Sequence, residues 1–214
     1  MNRPLRLTTA ALIASAALLL TSCGSDDKPK DDDKIAGAGK EKKTPSPSAS
    51  KEVAGRPKIE LPSDLHYAFA WPKTGDAAKD AVLSDSQQSI QAVDLAIANQ
   101  NALDKAYRFY YEGEAAAGTQ EFIQKYVDQK FRTTGTYRFY KPNVTVRKDG
   151  AATFSYCEDQ SRAFARNVKT NKVNKTPVTK KSYVVYNTSL RKNKQGVWVI
   201  QKIVSQSGSA QCQP

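Results

Sequence analysis

The feature that most constrains this chain is a change of period at Gly135. Before it, apolar residues recur three and four apart, as on one face of a helix; after it, they alternate, as in half-buried strands. Ser84-Asp85-Ser86-Gln87 fits a capping box, with Ser84 at the N-cap and Gln87 at N3. Ile90, Val93 and Ile97 follow at helical spacing, and that helix is expected to start at Ser84 or as early as Asp76. Asn99-Gln100-Asn101 reads as a break. Leu103, Ala106, Tyr107 and Tyr110 form a second, shorter stripe closed by Gly113. A third helix is expected to carry Phe122, Ile123, Tyr126, Val127 and Phe131 and to stop before Gly135. Ahead of the helices, Leu65, Tyr67, Phe69 and Trp71 share one side of an extended segment that Pro72 ends.

Beyond Gly135, extended runs at 136–140 and 143–148 flank Pro142. Asp149-Gly150 is a hairpin turn, and Ala151 to about Ala165 returns as the partner strand. The stretch NVKTNKVNKTPVT, 167–179, reads as a long basic connection, and 182–191 with 197–205 as another hairpin. Helices followed by antiparallel strands make an α+β class, with the helices packed on one face of a curved antiparallel sheet.

The N-terminus reads as an export signal. Arg3 and Arg6 precede Leu7–Leu20, an apolar run of 14 residues. A bilayer span needs about 20, and small residues before a cysteine mark a processing site. The tetrapeptide Leu20-Thr21-Ser22-Cys23 resembles the bacterial lipobox. That resemblance implies removal of residues 1–22 and acylation of Cys23; an ordinary secretory signal is the alternative. The expected location is the outer face of the cytoplasmic membrane, where two or more acyl chains anchor stably at about 0.8 kcal/mol per buried methylene. Residues 23–57 are polar and rich in charge, Pro, Gly and Ser, and are expected to form a disordered tether. Residues 58–214 are expected to form one domain.

Charge is divided between the halves of that domain. Residues 59–129 carry 5 basic and 11 acidic side chains, net −6; residues 130–214 carry 17 and 3, net +14. Lys169, Lys172, Lys175, Lys180 and Lys181 surround one loop, and Arg191, Lys192 and Lys194 are read as an adjacent hairpin. Outside the cell, the partners for such a surface are lipid headgroups, anionic envelope polymers or envelope proteins, attracted over a salt-screened range. The compartment argues against nucleic acid as the main partner. The bland reading is solubility and balance against the acidic half.

Few groups are available for chemistry. His66 is the single histidine, so any Cys-His or Ser-His-Asp system would have to use it. Its parity is opposite to that of Tyr67 and Trp71, which places it at the surface. No second histidine accompanies it for zinc, and no cofactor is expected. Cys157 and Cys212 remain beside Cys23, and two cysteines in an exported domain are most simply paired. A nucleophilic Cys157 is disfavoured, because Glu158 and Asp159 would raise its pKa. Strand parity puts Cys157, Asp159 and Ser161 on one face and Tyr156, Glu158 and Gln160 on the other. The aromatics Trp71, Tyr107, Tyr110, Phe122, Tyr126, Phe154, Tyr183 and Trp198 are expected to be mostly core, with a subset able to line a pocket.

The element order resembles the NTF2-like cone fold, in which a curved sheet and helices enclose a pocket open at one end. A narrower resemblance rests on LPSDLHYAFAWPKTGDAAKDAVLSDS (61–86), AYRFYYEG (106–113), TGTYRFYKPNVTV (134–146), YCEDQS (156–161), VKTNKV (168–173), SYVVYNTSL (182–190), GVWVI (196–200) and Cys212. These are similar to a family of actinobacterial secreted proteins and lipoproteins to which no activity is attached. The cone resemblance implies a place for an acid-base carboxylate, as in ketosteroid isomerases and dehydratases. Asp159, beside Tyr137 or Tyr186, is the candidate; its bland role is to pair with backbone or an arginine. The leading expectation is a non-enzymatic, lipid-anchored domain that binds or scaffolds an envelope component. The alternative is a small-ligand carrier or enzyme using the cone pocket.

Overall fold

Asp76 starts the first helix, not Ser84. Its carboxylate accepts from the Ala78 and Lys79 backbone N–H groups at 2.8 and 3.1 Å, satisfying two donors that a helix start leaves free. The capping-box pattern at Ser84–Gln87 therefore lies inside α1, Ala77–Ala98, because the helix is already running when it reaches Ser84. This structure is a computed structural model that describes residues 55–214. The expected signal segment, Cys23 and most of the expected tether lie outside the described residues.

Two short turns separate α1 from α2, Lys105–Tyr110, and α2 from α3, Gly113–Gln129. Lys130 then takes a left-handed conformation (φ 58°), and its N–H bonds back to Tyr126 and Val127, closing the helix. Phe131 consequently belongs to the following strand and not to the helical stripe expected for it. No helix among the described residues is long and apolar enough to cross a membrane.

The sheet contains β1 (Leu65–Phe69), β2 (Phe131–Val146), β3 (Ala151–Asn167), β4 (Val173–Asn174), β5 (Tyr183–Lys192) and β6 (Trp198–Ser207). Its order is β1-β2-β3-β5-β6, with β4 paired to the end of β3. Every pairing is antiparallel except β1 with β2. Pro142 does not divide two strands. It sits at an irregularity between Tyr140 and Asn143 inside one long β2, and a second shift falls between Thr136 and Arg138. Such bulges bend a strand and increase its twist, which lets the sheet curve around the helices. The expected long connection 167–179 contains β4.

Gly135 marks the change of period for a steric reason. Its φ is 93°, and a Cβ there would lie 2.2 Å from the Arg162 carbonyl oxygen across the ladder. Its N–H reaches the Asp64 carbonyl at 2.8 Å, where β1 joins β2. The Asp64 carboxylate ties three strands together. It pairs with Arg132 at 2.9 Å and Arg166 at 2.7 Å, and accepts from the Thr134 hydroxyl at 2.8 Å.

Helices and sheet bury one large core. Its large side chains include Ile97, Tyr107 and Phe139, while Trp71, Phe154, Tyr110 and Trp198 fill the end formed by the starts of β3 and β6. A smaller cluster lies on the opposite face of the sheet. There Cys157 and Cys212 form a disulfide, with Cα atoms 5.4 Å apart, and Val185, Tyr140 and Tyr183 pack around it. Tyr183 therefore belongs to this outer cluster, not to the main core. The Tyr140 hydroxyl donates to the Cys212 carbonyl, and Lys141 donates to the Gln211 carbonyl at 2.6 Å. The C-terminal segment is thereby fixed to β2 and β3.

Candidate functional site

Phe154 and Tyr156 point from β3 into the core, so Glu158 and Gln160 point the same way by the period of two. Beyond Tyr156 the core is not filled. A cavity of about 490 Å³ opens there between α1, α3 and the concave face of the sheet. From α1 come Ile90, Val93 and Asp94; from α3, Gly118, Thr119, Phe122 and Tyr126. Thr133, Tyr137 and Phe139 come from β2, Glu158 and Gln160 from β3, and Val184 and Tyr186 from β5. Ile203, Ser205 and Ser207 on β6 complete the wall. Phe122, 48% exposed, and the exposed Ser205 and Ser207 stand at the rim.

Two carboxyl groups meet this space. Glu158 is 7% exposed and Asp94 9% exposed. Tyr67 donates its hydroxyl to Asp94 Oδ2, and Thr133 donates to Oδ1 at 2.8 Å. Gln160 Nε2 donates to Glu158 Oε1 at 3.2 Å. All three donors are neutral, and among the described residues neither carboxyl has an ion-pair partner. Burial, which disfavours the charged form, pushes Glu158 up to about 7, with Asp94 adding to the rise and Tyr186 and Gln160 opposing it. Burial likewise pushes Asp94 up to about 6, against the hydrogen bonds from Tyr67 and Thr133. Buried Tyr156 and half-buried Tyr137 and Tyr186, around these acids, are held well above the usual phenol range, chiefly by desolvation. The arrangement offers two partly protonated carboxyls in an aromatic chamber, able to accept or donate a hydrogen bond or to face a cation.

Asp159 does not enter this space. It lies on the other face of β3, where its carboxylate faces Arg138 at 3.7 Å and accepts from the Ser161 backbone N–H at 2.9 Å. The parity that separates Glu158 from Asp159 is right, and the acid on the concave side is Glu158. The signal for it is present in the sequence: Phe154 and Tyr156, the apolar residues of that strand, share parity with Glu158. Asp94 is also legible, sitting between Val93 and Ile97 in the apolar stripe of α1. Of those aromatics, Phe122 and Tyr126 are the subset that lines the cavity.

His66 is exposed. Among the described residues no group of three His, Cys, Asp or Glu side chains is placed to hold a metal ion. The eight basic candidates are all exposed, but they are not one surface loop with an adjacent hairpin. Lys169, Lys172 and Lys175 follow the end of β3, with Lys180 and Lys181 on the short turn that leads into β5. Arg191 pairs with Ala151 at the opposite end of β3, so it, Lys192 and Lys194 stand beside the 147–150 turn instead.

No protein-family model matches the chain. No curated protein matches it either. Among solved structures, the chain is similar to ActVI-ORFA from Streptomyces coelicolor, with TM-score 0.41 and 11% identity over 62% of this chain and 98% of that one. It is similar to a ketosteroid isomerase-like protein from Erwinia carotovora atroseptica, with TM-score 0.41 and 12% identity over 63% of this chain and 98% of that one. It is also similar to the intermembrane-space region of the chloroplast protein ARC6, with TM-score 0.35 and 16% identity over 64% of this chain and 99% of that one. At these levels no activity, ligand or residue role carries across; what the chain can do follows from its own cavity.

Proposed function

We propose that the domain binds a small molecule in the cone cavity, and that acylated Cys23 holds it at the outer face of the cytoplasmic membrane. The supporting observation is the cavity itself: about 490 Å³ lined by aromatic rings with two buried carboxyls. That volume lies within the range of ordinary ligand sites. Gly118 gives the test. It lines the cavity, and a Cβ placed on it meets nothing within 4 Å. Gly118→Phe is expected to fill the space while keeping α3, since glycine is the poorer helix former. A fragment screen by protein-observed NMR should shift cavity resonances in the native chain and leave them unmoved in Gly118→Phe. Binding that survives the plug defeats the reading. For the anchor, mass spectrometry of membrane-extracted protein should find an acylated Cys23 at the new N-terminus; an unprocessed Met1 defeats it. The NTF2-like and actinobacterial lipoprotein resemblances agree with a tethered cone domain.

A second reading is proton transfer by Glu158, favoured by its position near neutrality inside the cavity. It predicts that a cavity-bound molecule with an acidic C–H exchanges deuterium faster with the native chain than with Glu158→Gln. Equal rates remove it. The exposed lysines at the end of β3, with Arg191, Lys192 and Lys194, keep a separate role as an attraction for anionic headgroups, envelope polymer or an envelope protein. Liposomes of anionic lipid should bind at low salt and release as salt rises; no binding at low salt ends that idea.

A further inference from the structure

The charge inside the cavity is opposite to the charge of the sheet half of the domain. Residues 130–214 carry net +14, yet no Lys, Arg or His lines the cavity. What lines it is Glu158, Asp94 and a set of rings, with Tyr111, Phe122, Tyr126, Tyr137, Tyr156 and Tyr186 spread around the walls. Three other shielded acids of this domain face a guanidinium: Asp64 faces Arg132 and Arg166, Asp85 faces Arg56, and Asp159 faces Arg138; Asp104 instead caps α2, accepting from the Ala106 backbone N–H and from Asn99. Glu158 and Asp94 also face only neutral donors, and of these acids they alone line the cavity.

We infer that the ligand of this cavity is an organic cation, a protonated amine or quaternary ammonium carried on an apolar body. The inference rests on the reading that the cavity binds a small molecule, and it adds the chemistry of that molecule. Ring faces carry negative potential and attract a cation, most strongly where water is excluded. A carboxylate without a counter-charge is costly to bury, and a bound cation removes that cost. An anionic ligand would meet two acids and no base. A neutral ligand would leave the carboxyls without a counter-charge.

Without a cation the site lowers the same cost by holding protons, which a bound cation replaces. Binding therefore releases protons, and affinity rises with pH through the range in which Glu158 and Asp94 ionise, then levels. The groups facing these two acids do not reverse that sign. Tyr67 on β1, Tyr137 on β2, Tyr186 on β5 and Tyr126 on α3 are all pushed above the usual phenol range. Gln160 on β3 is neutral, and β6 contributes Ile203, Ser205 and Ser207.

The test uses a matched pair of probes, (3-hydroxyphenyl)trimethylammonium and 3-tert-butylphenol, which share shape and hydroxyl and differ in charge. Titration calorimetry and NMR on the disulfide-bonded protein should show the cation binding at least about 10-fold tighter than the phenol at pH 7, where both probes keep their hydroxyl proton. Its affinity should fall on acidification to pH 5.5, and the preference should collapse in Glu158→Gln and shrink in Asp94→Asn. The native ratio alone decides the matter should either variant fold poorly. Phenol binding as tightly as the cation, with both blocked by Gly118→Phe, overturns the cation and leaves the cavity reading standing. Failure of both probes to bind, or cation binding that Gly118→Phe does not disturb, overturns both.

Discussion

Helix α1 carries two buried aspartates, one at each end of the cone, and their surroundings differ. Asp85 lies at the filled end, 1% exposed. Arg56 approaches its carboxylate at 2.6 Å, and the Trp198 backbone N–H donates to it at 2.8 Å. Asp94 lies at the hollow end with the hydroxyls of Tyr67 and Thr133. Where the acid is part of the packing, the fold brings a cation and a backbone donor from distant segments. Where the acid meets the cavity, the fold brings hydroxyls and leaves the charge unbalanced. A buried pair is strongly destabilised by loss of one partner, whereas a carboxyl raised toward neutrality tolerates an amide in its place.

The largest expected effect concerns what supports the hollow end. That end has no packed interior behind Glu158, and the disulfide at the neighbouring Cys157 ties its outer side to the C-terminus. Replacing Cys157 and Cys212 together by serine removes a link across a separation of 55 residues, and chain entropy assigns it about 4 kcal/mol. Urea unfolding should show that loss; less than about 1 kcal/mol would mean the hollow end stands without the bond. The two aspartates come next. Arg56→Ala should lower unfolding free energy by about 2–3 kcal/mol, below the usual value for a buried pair because Arg56 is partly exposed. Asp94→Asn should change it by less than about 1 kcal/mol. Equal losses break the contrast.

The pH dependence sharpens it further. Glu158 is raised from 4.5 to about 7 in the folded state, so the folded protein holds more protons than the unfolded chain between those values. Stability should therefore fall as pH rises from 5 to 8, by about 2 kcal/mol from this group. Glu158→Gln should flatten the slope, which chemical denaturation at several pH values would read; an unchanged slope places the titration elsewhere. Asp64 runs the other way. Its arginine partners hold it well below the usual carboxylate range, so its contribution is present above about pH 4 and is lost as pH falls further. Asp64→Asn should cost about 1 kcal/mol at pH 7, after allowance for its exposure, and less below pH 4. A cost that does not decline in acid would contradict the assignment.

Much of the frame is legible in the sequence because it is local. The change of period at Gly135 separates helices from strands, and the Asp149-Gly150 turn pairs β2 with β3. What escapes is set by distance along the chain or by competition. Ser84–Gln87 has the pattern of a cap, but Asp76 caps first and the helix runs through. Pro142 looks like a strand boundary, but a bulge absorbs it. The direction of β1 depends on Asp64 meeting residues 68 and 102 positions away, which no window reveals. The site was half legible. Parity divided Glu158 from Asp159, but which face is concave depends on where the helices sit, and only Phe154 and Tyr156 mark that side in advance.

Arg56 has a mechanical consequence. It is the first described residue whose side chain is gripped by the domain, and it is held at Asp85 and Tyr110, away from the cavity walls. Traction on the chain ahead of it loads this clasp first, at the packed end, and passes into α1 and the backbone of β6 at Trp198 before it reaches the mouth at Phe122, Ser205 and Ser207. The chamber can thus keep its shape while the molecule is pulled from its N-terminal side.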